Sequence, residues 1–534
     1  MPKTPSSPFF PPLDWASAPG ASKQKKLYEA MKTAILEGQL PVGTQLPPSR
    51  RFAAVLKVSR TTVTEALAQL SAEGYVEGKV GAGTFVREVL PFQRPWRASP
   101  KPGPGEVPRL SSRGQLISKT PASRSPEGVS GAFRPGVPAL EHFPVETWAR
   151  FAAASWRAVS PKNLGYPEPA GHLPLREEVA AYVEAARGVR CHPEQVLMVT
   201  GSQQALYLAA LVLLNPGELA GVEDPGYVGA RGAFLAAGVG VEPIPVDADG
   251  IDVRFAAGVS GLRLIHVTPS HEYPLGMTMP LARRLELLEW AHSRDVVIVE
   301  DDYDSEYRYS GHPVQALQGL DIYGRVIYVG SVSKVLAPAL RMGYMVVPEA
   351  LVAVFGRARA LLDRGGPLVP QMALARFIRE GHLARHIRIT RDVYAARQAT
   401  LVAAAAELRP WLEVLPQASG MTVIGWLPPG VSDREISERA RHYGIIAPPL
   451  SAFATRSLPR GGLLLGYTGV SPAQIREGVD RLALVRHELE NAVSPPLAEW
   501  TAEDRPPRHQ DVAPSPGTTP TRCDSNRQSG GTPP

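Results

Sequence analysis

Apolar positions along the chain fall into separate regimes. Between residues 23 and 87 they recur at helical spacing. Leu27, Met31, Ala34 and Ile35 share one face of a stretch over residues 23–37, and Gly38 ends it. After a loop at residues 43–48, Ser49 can cap a short helix over 50–56. Ser59 can cap a third helix over 60–73, with Val63, Leu67 and Leu70 inward and Gly74 as its stop. Residues 75–77 and 84–86 flank Gly78-Lys79-Val80-Gly81-Ala82-Gly83, a hairpin pattern. Helix–turn–helix followed by a hairpin is the order of a winged helix–turn–helix, so this part is mainly α.

From residue 132 to about 493 the pattern changes. Residues 196–200, 264–268, 296–299 and 326–329 are short apolar runs rich in β-branched side chains. Such runs suit strands buried on both faces of a largely parallel sheet. Helical stretches such as 280–293 separate them, as α/β crossovers require. Residues 88–131 hold eight prolines among Ser, Gly and Arg, and predict an extended linker. The expected organisation is a multidomain chain: a flexible N-terminus (1–22), a winged module (23–87), the linker (88–131), an α/β domain (132–493) and a disordered tail (494–534).

At 534 residues, 44% hydrophobic and 20% charged, the chain has ample material for a buried core. No apolar run approaches the roughly 18 residues of a membrane span. Residues 1–12 carry no apolar leader segment, so a cytoplasmic protein with no membrane partner is expected. Two distant cysteines, Cys191 and Cys523, exclude a disulfide framework or a multi-cysteine zinc site. The net charge is +6, and residues 23–87 alone hold ten Lys/Arg against five Glu. A small basic module before a nearly neutral body points to a polyanion partner for the module.

The third helix opens with Arg60, Thr61, Thr62 and Thr64. Arg can read guanine edges, and Thr can meet phosphate or the thymine methyl. Arg50, Arg51 and Lys79 suit phosphates. A three-helix domain with merely solvated charges is the bland alternative. In the large domain, Lys334 sits among small hydroxyl residues, Gly330-Ser331-Val332-Ser333-Lys334, directly after a buried strand. A desolvated Lys near another cation can attack carbonyls, and Arg341 could hold a phosphate. A surface Lys is the commoner case.

Glu300-Asp301-Asp302-Tyr303-Asp304 follows another buried strand. A carboxylate there could pair with a pyridinium nitrogen, and Tyr303 with a ring hydroxyl. Metal binding is the rival reading, but alternation along an extended chain would split the cluster, and no GxxxxGK[ST] loop accompanies it. Thr200-Gly201-Ser202-Gln203 could cradle an anion at a helix start, and Tyr227 could stack on a flat ring.

Leu46-Pro47-Pro48-Ser49-Arg50, Val58-Ser59-Arg60-Thr61-Thr62-Val63, Leu70-x-x-x-Gly74 and Gly81-x-Gly83-Thr84-Phe85-Val86 resemble the GntR family of bacterial regulators, which usually has Ser at the position of Pro48. The segments of the large domain, in their order, resemble fold-type I aminotransferases dependent on pyridoxal 5′-phosphate (PLP). The two together resemble the MocR/GabR-like subfamily of GntR regulators. That resemblance implies a Schiff base between Lys334 and PLP. It assigns Asp301 to the pyridine nitrogen, Tyr303 to the ring hydroxyl and Tyr227 to the ring face. Ser202, Gln203, Ser331 and Arg341 would hold the phosphate. It implies no metal.

Two departures bear on function. Tyr273, in His271-Glu272-Tyr273-Pro274-Leu275-Gly276, stands where an aminotransferase usually has Asn. Leu464, in Leu463-Leu464-Leu465-Gly466-Tyr467, stands where the resemblance places an Arg that clamps the substrate α-carboxylate. A Leu cannot replace a bidentate Arg. Either another Arg supplies the clamp, with Arg456 and Arg460 close in sequence, or the ligand is not a standard α-amino acid. The leading expectation is a transcription regulator that binds double-stranded operator DNA. It would sense an amine, an amino acid or PLP, as a homodimer that joins the nucleoid when bound to DNA, with at most residual transaminase activity. The alternatives are a working aminotransferase with an accessory DNA-binding module, and a DNA-binding protein whose large domain is only a scaffold.

Overall fold

The computed structural model describes residues 22–88, 109–120, 131–311 and 314–492. The expected N-terminal segment up to residue 21, the tail from 494, and residues 89–108 and 121–130 of the expected linker lie outside them. The chain divides into two compact units between Arg109 and Leu110.

In the first unit, helix Lys23–Leu36 is capped by the Ser22 hydroxyl, which accepts from Lys25 N at 3.3 Å. Helices Ser49–Leu56 and Arg60–Ala72 follow. Ser59 caps the last of these as expected, accepting from Thr62 N at 3.1 Å. Ser49 does not cap: the helix begins one residue early with Pro48 at the cap position. The Ser49 hydroxyl instead accepts from Arg60 Nε at 3.3 Å and ties the two helix starts together. The loop expected at residues 43–48 contains a strand, β1 (Gln45–Leu46), that pairs antiparallel with β3 (Gly83–Val86), itself paired to β2 (Val76–Lys79). Leu27, Met31, Phe52, Val63, Ala66 and Leu70 fill the core with no exposure.

In the second unit, residues 112–119 of the expected extended linker form a helix, Ser112–Lys119, alongside Val228–Ala237. The stretch is free of proline, and Ser111 caps it by accepting from Gly114 N at 3.0 Å. The main sheet uses β4 (Val196–Val199), β5 (Leu219–Asp224), β6 (Gly240–Asp247), β7 (Gly250–Ile251), β8 (Leu262–Val267), β9 (Val297–Asp302), β10 (Val326–Ser331) and β11 (Gly343–Val346). Their order is β4-β11-β10-β9-β8-β5-β6-β7. β10, β9, β8, β5 and β6 pair parallel; β11 runs against both its neighbours, so β4 points the same way as β10. All four strands expected from the apolar runs are present. A second, antiparallel sheet holds β12 (Glu413–Val414), β13 (Thr422–Trp426) and β14 (Gly462–Gly466).

Replacing Phe52 by Ala should cost the first unit about 3–5 kcal/mol through lost burial and an unfilled cavity. The readout is faster amide exchange across Arg60–Ala72; unchanged protection there would show that the module does not depend on this ring.

Candidate functional site

Six strands of the main sheet point the same way, and five of them, β4, β5, β8, β9 and β10, lead into the candidate residues at one edge. In open α/β sheets this edge, beyond the carboxyl ends, is where ligands bind. It carries Ser202 and Gln203 after β4, Tyr227 after β5, His271 after β8, Asp301 to Asp304 on and after β9, and Ser331 with Lys334 at and after β10.

The Ser331 hydroxyl accepts from Ser333 N at 3.2 Å and starts the one-turn helix Val332–Val335. Lys334 Nζ donates to the carbonyl of Gly136 at 2.9 Å. Gly136 has φ +69°, and a Cβ there would come within 2.5 Å of Nζ, so glycine lets the backbone reach the amine. Burial lowers the pKa of Lys334, while Asp304 and Asp301 pull it partly back. Of the two causes expected from sequence, desolvation and a neighbouring cation, desolvation is the one that acts, among carboxylates.

Alternation along β9 divides the acidic cluster. Glu300 accepts from Leu317 N at 2.8 Å and Gln318 N at 2.9 Å. Asp302 accepts from Arg187 Nε and from the Tyr328 hydroxyl, both at 2.7 Å. Asp301 lies on the other face, with Oδ2 3.5 Å from His266 Nε2. Its Oδ1 is buried and has no hydrogen-bond partner among the described residues. Sequence reasoning missed His266, since nothing in its run sets it apart.

The Tyr303 hydroxyl lies 2.9 Å from His271 Nδ1, which is also 3.1 Å from Asp304 Oδ2. A carboxylate only accepts, so this pairing places a proton on Nδ1 and leaves the Tyr303 O–H to donate elsewhere. Gln203 Nε2 donates to the Tyr227 hydroxyl at 3.3 Å. Gly201, at φ +139°, makes the turn from β4 into the helix that begins at Ser202. Ser331 and Val199 both register with Gly343 of β11, so Ser331 and the Ser202 turn sit two strands apart at the same level. Arg341 is exposed on the turn before β11 and lies close enough to Tyr227 to offset part of the rise that burial imposes on that phenol.

Two buried carboxyls beside the site were not anticipated. Glu223 accepts from Thr268 N and, at 2.7 Å, from the Thr268 hydroxyl; burial pushes its pKa up to about 7. Glu272 is pushed up as well, by burial and then by Glu223.

In the first unit, Arg50, Arg51, Arg60, Thr61, Thr64 and Lys79 are exposed and Thr62 is half-buried. Thr64 Oγ1 donates to Arg60 O at 2.9 Å, so it offers only lone pairs outward. Lys79 pairs with Glu77 at 3.3 Å and lies over the Phe85 ring.

Residues 136–482 match the class I and II aminotransferase family, and residues 23–86 match the gntR family of bacterial regulatory proteins. The chain is 40% identical to a probable rhizopine catabolism regulatory protein, MocR, of Rhizobium meliloti, over 90% of this chain and 97% of the relative. It is 31% identical to the pyridoxine biosynthesis transcriptional regulator PdxR of Corynebacterium glutamicum, over 70% of this chain and 76% of the relative. Among solved structures it resembles LysN, an α-aminoadipate aminotransferase of Thermus thermophilus complexed with N-(5′-phosphopyridoxyl)-L-leucine. That match has a TM-score of 0.64 and 32% identity, covering 71% of this chain and 98% of the other.

The raised Glu223 gives a signed expectation. Between its ordinary pKa of 4.5 and about 7, the folded state keeps a proton that the unfolded chain has released, so this group's contribution to stability falls as pH rises through that window. Glu223→Gln should therefore compare better with the native chain at about pH 8 than at about pH 5 in thermal unfolding. A difference in Tm that ignores pH would contradict the assignment.

Proposed function

The chain belongs to the MocR-like branch of the GntR regulators, with a class I and II aminotransferase domain, and on that premise we propose that it is a DNA-binding transcription regulator that senses an amine, or PLP itself, through PLP held at Lys334. The observation that carries this reading is the gathering of Lys334, a buried amine of lowered pKa, and Asp301, whose buried Oδ1 has no hydrogen-bond partner among the described residues. A pyridine N–H is the kind of donor that such an oxygen lacks, so the residues fit the cofactor.

In this reading Lys334 is the point of covalent attachment. Asp301 would hold the ring nitrogen, backed by His266. Tyr227 would cover the ring face. Tyr303, oriented by His271 and Asp304, would donate to the ring oxygen. Ser202, Gln203, Ser331 and Arg341 would hold the phosphate, with the helix start at Ser202 adding its backbone N–H groups. When bound, PLP supplies a carbonyl carbon that condenses with primary amines and a ring that withdraws electrons. The low pKa of Lys334 keeps a larger share of its amine uncharged and able to react.

The winged module would place the helix Arg60–Ala72 in the major groove, with Arg60 in its first turn. A ligand changes DNA affinity only as far as it binds the DNA-competent and incompetent states unequally. Homodimers match the two half-sites that helix–turn–helix proteins read, and a dimer in the cytoplasm is part of this proposal.

Borohydride reduction of PLP-treated protein followed by peptide mass mapping should give a pyridoxyl adduct on Lys334, and Lys334→Ala should lose both the adduct and the visible absorbance. An adduct on another residue, or none, would overturn the cofactor assignment. On DNA from upstream of its own gene, at fixed salt, Arg60→Ala should weaken binding by about 1–3 kcal/mol. Unchanged affinity would remove Arg60 from the interface.

A further inference from the structure

The wall of the site next to the assigned ring contacts is aromatic and aliphatic. The Tyr273 ring meets Tyr227 edge-on at 5.9 Å and Tyr303 at 5.7 Å, the two aromatic residues assigned to the cofactor ring. Its other side meets Phe453 at 5.4 Å. Tyr273 and Phe453 pack in turn against a cluster that contains Leu464, which is fully buried at the centre of β14 in register with Ile424. An anion seated against the ring carbons and aliphatic carbons of this wall loses its water and meets no cationic partner there.

Both arginines close to Leu464 in sequence are engaged elsewhere. Arg460 is buried over the Trp426 ring, donates from Nε to Leu427 O at 2.7 Å and pairs with Glu413 at 3.5 Å. Arg456 lies over Phe255, donates to Pro243 O at 3.3 Å and sits 3.9 Å from Asp224. Turning either toward Leu464 would break these contacts. Asp304 and Asp301, buried beside Lys334, set a negative field at its amine. That field opposes a second carboxylate and favours an ammonium group as it arrives.

We infer that the ligand sensed here is a primary amine with no carboxylate on its aminated carbon and with an uncharged, apolar substituent that rests on the Tyr273–Phe453–Leu464 wall. This rests on the reading that PLP is held at Lys334. It excludes the ordinary α-amino acids, which the expectation from sequence had left open.

The test uses full-length, PLP-loaded protein and pairs of ligands that differ only in the carboxylate: phenethylamine against L-phenylalanine, and 3-methylbutylamine against L-leucine. Titration followed by visible absorbance gives Kd for each. The amine of each pair should bind at least tenfold more tightly, and Leu464→Arg should gain at least tenfold for the amino acid while the amine gains nothing. Equal or tighter binding of the amino acids by the native chain overturns the inference, as does the absence of a response to either class in protein that carries PLP on Lys334. Should Leu464→Arg not fold, the native pairs decide alone. Protein that takes up no PLP at Lys334 overturns the cofactor reading and this inference with it.

Discussion

The two-residue period of β9 is the constraint on which the site depends. Glu300 and Asp302 turn to one face, where backbone N–H groups and Arg187 receive them; Asp301 turns to the other. The Arg187 guanidinium is committed three ways, to Asp302, to Val314 O at 2.7 Å and to the Ser270 hydroxyl at 2.6 Å. A one-residue slip of β9 would strip a buried Arg of its counter-charge and carry Asp301 away from the strand ends. The ion pair therefore fixes which carboxylate is left on the face of Asp301 and His266. The same alternation that splits the acids leaves one of them, Asp301, alone on its face, where the proposed ring nitrogen would meet it.

Around that carboxylate the molecule accepts costs that an ordinary core avoids. Lys334 is held desolvated, Glu223 and Glu272 are buried with raised pKa values, and Asp301 keeps an oxygen unpaired. Perturbed groups of this kind gather at functional sites because their environment is arranged for a bound species rather than for stability. The short link between Gly136 and Lys334 belongs to the same logic. Only a residue without Cβ in a left-handed backbone lets a carbonyl hold the amine at that spot.

Elements whose signals are local were legible in the sequence. The winged module's helices, the Ser59 cap and the four apolar strands follow from period, cap and run length. The strand-end positions of Lys334 and Asp301 were legible in the same way. What could not be read depends on contacts distant in the chain. β1 is two residues long and is a strand only because β3 lies beside it. Ser49 looked like a cap, yet its hydroxyl serves Arg60 of the next helix. His266 reaches Asp301 across two adjacent strands, and His271 reaches Asp304 between two loops, so neither pairing leaves a spacing pattern. The helix Ser112–Lys119 was hidden by averaging composition over a proline-rich stretch whose prolines fall on either side of it.

The departures from the aminotransferase pattern make sense as one change rather than two. In the sequence, an aromatic at 273 and an aliphatic at 464 look like separate losses of an amide and a guanidinium. In the fold, both belong to one apolar wall, and each removes the reason for the other: a guanidinium at 464 would face the Tyr273 and Phe453 rings rather than an amide, and an amide at 273 would have only hydrocarbon on that side. In the proposed reading His271, which lies against the Tyr303 hydroxyl and is held there by Asp304, would do the polar work of an amide at 273. On that reading the half of the site that would hold the ring is polar, while the half that would grip a carboxylate is apolar. That division is what a protein needs if it must recognise an amine covalently and reversibly without being built to process amino acids.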